Sequence, residues 1–200
     1  MIRDAYEQAA RMFVDTVTEI REDQWQHLAL GEWTVRDLVG HTNRALSTVE
    51  TYLNNPAQVV ELEQPATYFI QAKAALADPA AVAARGREAG QALGLQPAVT
   101  VRETASRVLK KVETAADGAI LTTPVGGMRL IDYLPTRIFE LTVHTLDLGV
   151  ALQTNIPVPD ASAAITLRLM ADLALQLGKA APLMLASTGR QTLPPGFSLL

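Results

Sequence analysis

The stretch IDYLPTRIFELTVHTLDLGVAL, residues 131–152, decides how this chain is read. Its apolar residues, Ile131, Leu134, Ile138, Phe139, Leu141, Val143, Leu146, Leu148 and Val150, cover most of a helical surface. Between them, Tyr133, Arg137, Glu140, His144 and Asp147 follow one another at spacings of four, three, four and three, so they share one stripe of an α-helix. A helix that is apolar nearly all round is normally buried. The polar stripe is then either a face turned to water or a set of groups gathered inside a bundle.

A second helix bears on that choice. The run TVRD places Thr34 as an N-cap with Asp37 three residues later, a variant of the capping box, so a helix begins near Val35 and runs to about Leu53 before the NNP turn at 54–56. On it, Asp37, His41, Arg44 and Thr48 form a stripe bordered on the apolar side by Leu38, Ala45 and Val49. If the two helices pack through these sides, His41 meets the pair Glu140 and His144 in a bundle interior. Two imidazole nitrogens and a carboxylate suit a divalent ion, zinc first, at roughly 2.0–2.2 Å, and leave a coordination position for water or substrate. Nickel, manganese and iron accept the same donors. An i,i+4 Glu and His pair is also a common surface contact, and the HExxH spacing of zincin proteases is absent.

The remaining chain reads outward from these two segments. Residues 3–20 carry an apolar face of Ala5, Ala9, Met12, Phe13, Val17 and Ile20. An alanine-rich helix is expected over 65–93, with a break near Asp78–Pro79, and another over 99–115. GAILTTPVGGMRL, 118–130, reads as an extended turn or short hairpin. A last long helix spans 160–178, followed by a short helix to Ser187 and an extended, Gly- and Pro-rich end. Trp25 and Trp33 are expected to pack a loop or the core, and His27 to fill its loop. The fold class is therefore all-α, one domain overall: a helical bundle over 1–155 with residues 156–200 packed on it.

Composition narrows the function. The 200 residues carry a net charge of -4 with no basic stripe, which argues against nucleic acid as a partner. The first residues, MIRDAYEQAARMFVDTV, mix charges into a helical pattern and show neither a signal-peptide stretch nor a membrane span, so the expected location is the cytoplasm. The absence of cysteine means that any thiol chemistry needs a thiol from outside. Apolar bundle surfaces also suit a homodimer, though no single face compels one.

WTVRDLVGH at 33–41, together with RIFELTVHTLDLGVAL at 137–152, resembles the paired signatures of the mycothiol-dependent maleylpyruvate isomerase metal-binding domain, a branch of the DinB-like bundle superfamily. The resemblance spans about residues 5–153, and the ending ASTGRQTLPPGFSLL is similar to a tail found in relatives of that isomerase. It implies a four-helix bundle wired up-down-down-up, with a divalent metal on His41, Glu140 and His144. It also implies chemistry of a small thiol, mycothiol or bacillithiol, in which the thiol is transferred to an electrophilic substrate or an isomerisation is supported. Asp37, Arg137 and Asp147 then become candidates for orienting the ligands, because a metal-bound His usually donates its other N–H to a carboxylate or carbonyl. Asp37 equally suits a plain helix cap, and Arg137 a structural ion pair.

The departure from the isomerases lies at the C-terminus, where they carry a larger domain and only about fifty residues follow Gln153 here. Arg190 in the TGR of the tail is a candidate for binding a substrate carboxylate, against the alternative that it anchors the tail. Two other readings remain. One is a non-catalytic bundle that keeps a metal for stability or ligand sensing; the other is a metal-free core in which His41 and Glu140 lie too far apart to share an ion.

Overall fold

Caps and prolines set most of the helix boundaries. The computed structural model describes residues 1–76 and 78–200. It opens with α1 (Ile2–Thr18), then a 3₁₀ turn at Glu22–Gln24 and a small antiparallel pair, β1 (Leu28–Leu30) and β2 (Trp33–Thr34). Thr34 caps α2 (Val35–Leu53) through the expected reciprocal box, its hydroxyl accepting the Asp37 amide while Asp37 accepts the Thr34 amide. The alanine-rich stretch divides where expected: α3 (Pro65–Leu76) ends before Asp78, whose side chain accepts the Ala80 amide at the start of α4 (Pro79–Ala92). Pro97 opens α5 (Pro97–Thr114).

The segment 118–130 forms a hairpin of β3 (Ile120–Thr123) and β4 (Gly126–Arg129), which leads directly into α6 (Leu130–Leu152). Pro135 removes one hydrogen bond near the start of α6 without ending it, and α6 closes on Gln153 in the left-handed region at φ 55°. Then come α7 (Asp160–Gln176) and α8 (Ala180–Ser187). The described residues are thus mostly helical, with two small two-stranded sheets beside the helices, one of them the hairpin expected at 118–130. The β1–β2 pair lies in the stretch that reads as loop, because strands of three and two residues are too short to show an alternating pattern.

Four helices enclose the core: α1 and α2 do not lie side by side but each packs against both α5 and α6. Tyr6, Phe13, Leu38, Leu46, Val108, Leu134, Ile138 and Leu141 are wholly buried there, and each such side chain stabilises the fold by about 1.5–3 kcal/mol. On the outside, α4 lies along α2, α3 along α6 and α7, and α7 against α1 and α6. Ser162 of α7 donates to the Ala5 carbonyl in that contact at 2.9 Å.

The contact of α4 with α2 is close because glycines line it. A Cβ on Gly40 would lie 2.2 Å from the Gly90 backbone nitrogen, and one on Gly86 would enter the Trp33 indole at 2.3 Å. The polar stripe of α6 points inward, with Tyr133 at 0% and Arg137 at 8% exposure, while Leu146 and Val150 turn to the surface instead. So the stripe is not a water-facing one.

Candidate metal centre

Each ligand candidate reaches the site by a different local rule. On α6, Glu140 and His144 sit one turn apart, and Asp147 follows three residues later on the same face. His144 Nε2 lies 3.1 Å from Glu140 Oε2, and its Nδ1 lies 2.9 Å from Asp147 Oδ2. The imidazole is thus held at both nitrogens by carboxylates. From α2, His41 brings Nε2 to 3.8 Å from the same Glu140 oxygen. The two histidine rings meet edge to face, 4.9 Å between centroids. His41 and Glu140 are therefore close enough to share an ion, against the metal-free reading.

His41 is positioned by packing. The Trp33 ring lies over it at 4.6 Å between centroids, and Trp33 Nε1 donates to the Ala83 carbonyl of α4 at 3.1 Å, in the space that Gly86 leaves free. His41 Nδ1 is buried and has no hydrogen-bond partner among the described residues.

Electrostatics follow from this arrangement. Burial opposes charge on His41, and the neighbouring His144 adds to that, so its pKa falls to about 4 and it stays neutral. Burial also opposes the His144 cation, but hydrogen bonds to Asp147 and Glu140 outweigh it and raise the pKa to about 9. Glu140 is likewise resisted by burial, yet the His144 hydrogen bond and the charges of His144 and Arg137 hold it at about 2. The metal-free centre is an imidazolium clasped between two carboxylates, with a neutral imidazole opposite.

The donor set fits a divalent cation. One donor atom from each of His41, Glu140 and His144 lies within 4.8 Å of the others, so the group could hold a metal ion. Bonds of roughly 2.0–2.1 Å in tetrahedral geometry require donors about 3.3 Å apart, and the spacings of 3.1 and 3.8 Å bracket that value. A cation would also replace the proton that now neutralises the site.

The site opens on a cavity of about 620 Å³, bounded by His41, Glu140, Trp33, Tyr68, Phe69 and Arg137 among others. That volume suits a small molecule. An ion on these donors would have cavity on one side and Asp147 behind His144 on the other.

The family model of the mycothiol maleylpyruvate isomerase N-terminal domain matches residues 6–149, nearly three quarters of the chain and all of the elements that build this centre. The chain belongs to that family. No protein of curated function and no solved structure matched it.

Within this isomerase-type domain the other expected residues separate. Asp147 stands behind His144, where a ligand-orienting carboxylate belongs. Asp37 does not reach His41: its Oδ2 accepts from the Thr34 amide at 3.0 Å and the Thr34 hydroxyl at 2.7 Å, so it acts as the cap. Arg137 is buried against the rings of Tyr133 and Tyr68, and forms no carboxylate ion pair among the described residues.

Arg190 lies outside the segment that matches the family, exposed on the turn after α8, with its guanidinium donating to Thr188 O at 3.4 Å. It does not line the cavity, which corrects its candidacy as a carboxylate binder. Trp33, expected to pack a loop or the core, is buried as expected and also lines the cavity, while Tyr68 and Phe69 of the alanine-rich stretch line it as well. Trp33 had a signal, its place two residues before the start of the helix that carries His41, in the motif WTVRDLVGH; the other two had none.

Proposed function

We propose that this chain is the metal-binding bundle of an enzyme that uses a low-molecular-weight thiol of the mycothiol type, transferring it to an electrophile or using it to isomerise one. The single observation that supports this most is Glu140 standing between histidines of two different helices at the wall of a cavity, so that the centre is not closed by protein. His41, Glu140 and His144 are the ligands in this reading, zinc the ion, and α1, α2, α5 and α6 the helices of a DinB-like up-down-down-up bundle, with residues 156–200 as an extension of the same domain. The cytoplasm is the compartment where a small thiol would be available in reduced form.

A bound divalent ion favours thiolate over thiol and lowers the pKa of a coordinated water, to near 7 in good zinc sites. The protein's own groups prepare that chemistry. Glu140 supplies the negative charge that draws the cation, and Asp147 fixes the ring of His144 so that Nε2 points at the site. Trp33 and Phe69 keep water from one side of the cavity and thereby strengthen each charge interaction inside it. The chain has no cysteine, so the thiol enters through the cavity as a co-substrate.

Elemental analysis after extensive dialysis tests the centre. We expect about one divalent ion per chain, lost in His41→Ala, and consumption of mycothiol when the loaded protein meets electrophiles such as cis-unsaturated acids. No retained ion after incubation with zinc, nickel and manganese would overturn the reading.

A further inference from the structure

Arg137 is the one buried charged side chain among the described residues that line the cavity, and it is not one of the three ligand candidates. It is 8% exposed, and its Nε donates to Thr136 Oγ1 at 2.9 Å. Its guanidinium lies 4.8 Å from the ring centroid of Tyr133 and 5.6 Å from that of Tyr68. Both contacts attract the cation. Neither Nη group has a hydrogen-bond or ion-pair partner among the described residues, and Arg137 lines the cavity. Glu140 stands one turn further along α6, but its Oε2 faces the two histidines.

A buried guanidinium is normally matched by a carboxylate, because an unmatched one forgoes strong charge-assisted bonds. Here the guanidinium sits beside two aromatic rings at the wall of a cavity that a small molecule can enter. The rest of the charged lining agrees. Arg44, Lys73 and Arg85 also border the cavity, against Glu32 and Glu140. Glu32 is bridged to Arg87 at 3.4 Å, and Glu140 belongs to the centre. In a chain of net charge -4 this cavity is locally positive.

We propose that Arg137 binds a carboxylate group of the small molecule that occupies the cavity, through a two-pronged contact beside the metal centre. This deepens the function proposed above and rests on it for the identity of the neighbouring centre, but the anion contact itself is a property of Arg137 and its two tyrosines. Arg137 then orients the bound molecule, with its acid group on the guanidinium and the rest of the molecule toward His41 and Glu140. Arg137 is a substrate-binding residue in this assignment, and Tyr68 and Tyr133 position it.

The test is calorimetric binding of succinate and benzoate, each against its uncharged amide, to the metal-loaded and the metal-free protein. Both acids are expected to bind roughly tenfold to a hundredfold more tightly than their amides, the range for a hydrogen bond to a charged group. Arg137→Met keeps the buried stem but not the fork. It should bring the acids down to the level of the amides while metal count and helical circular dichroism stay unchanged. Arg137→Lys keeps the charge without the flat fork, and should bind the acids several-fold more weakly than wild type.

Wild type that does not distinguish acid from amide in either form would overturn the assignment. So would Arg137→Met that binds the acids as wild type does. If Arg137→Met fails to fold, undiminished binding by Arg137→Lys overturns it instead. A protein that retains no metal yet still shows the acid preference, lost in the variants, would refute the metal centre and leave this assignment standing.

Discussion

The two histidines of the centre face the same carboxylate oxygen from opposite helices, and they are held there by different physics. His144 is clasped within its own helix by Glu140 and Asp147, at 3.1 and 2.9 Å. His41 has no hydrogen-bonded support at Nδ1; it is placed by the Trp33 ring, which is itself placed by α4 where Gly86 makes room. One half of the centre is a local hydrogen-bonded unit. The other is the product of helix packing between residues fifty positions apart. Ligand direction therefore depends on electrostatics on α6 and on shape on α2.

Removing either histidine should have the largest effect. His144→Ala and His41→Ala each leave two donors, and metal affinity should fall by more than the roughly hundredfold typical of losing only an outer partner, with helical circular dichroism preserved. Retained metal in either variant, counted after dialysis, would dissolve the comparison by removing that residue from the centre. Next comes Asp147→Asn, which keeps size but not charge. It should weaken metal binding about tenfold to a hundredfold, because the His144 ring loses its fixed tautomer. An unchanged affinity by competition with a chelating dye would show that packing holds His144 as it holds His41.

The same contrast explains what could be read from the sequence. Signals that act within one or two turns were readable: the stripe from Tyr133 to Asp147, the TVRD box that starts α2, the break at Asp78, and the turn residues of the β3–β4 hairpin. Each depends on neighbours three or four residues away. Contacts made by packing were not. Nothing near Trp33 announces that Gly86 will leave room for its indole, and nothing in the alanine-rich stretch marks Tyr68 and Phe69 as cavity wall. Arg190 shows the converse: its guanidinium chemistry suited a carboxylate, but the fold leaves it exposed away from the cavity. Residue type carries chemistry; only packing decides where it is delivered.

Protons sharpen the comparison further. In the metal-free chain His144 has a pKa near 9, above the unfolded value of 6.5, so its ion pairs stabilise the fold fully below pH 6.5 and lose that effect as pH rises through 9. His41 is depressed to about 4, so it opposes folding as pH falls from 6.5 toward 4. Glu140, held at about 2 against 4.5, adds stability that is present above pH 4.5 and is lost as pH falls through 2. The metal-free protein should therefore be most stable near pH 6.5 in thermal denaturation. A metal must displace the His144 proton, so metal affinity should rise about tenfold per pH unit from pH 6.5 to 8.5, with about one proton released per ion by calorimetry in buffers of different ionisation heat. A flat affinity over that range would mean that His144 is already neutral and that the clasp by two carboxylates does not raise its pKa.

The smallest effect is expected at Asp37, which stands one turn before His41 much as Asp147 stands one turn after His144. Sequence alone treats the two carboxylates alike. The structure gives Asp37 a different task, since its Oδ2 accepts both the amide and the hydroxyl of Thr34 at the start of α2. Asp37→Ala should cost about 1 kcal/mol of stability in urea denaturation, as the loss of a helix cap does, and leave metal affinity unchanged. A loss of affinity as large as that of Asp147→Asn would mean that Asp37 leaves its cap for His41 Nδ1 when the ion binds. In that case both histidines are held by carboxylates, and the asymmetry between the two halves belongs only to the metal-free state.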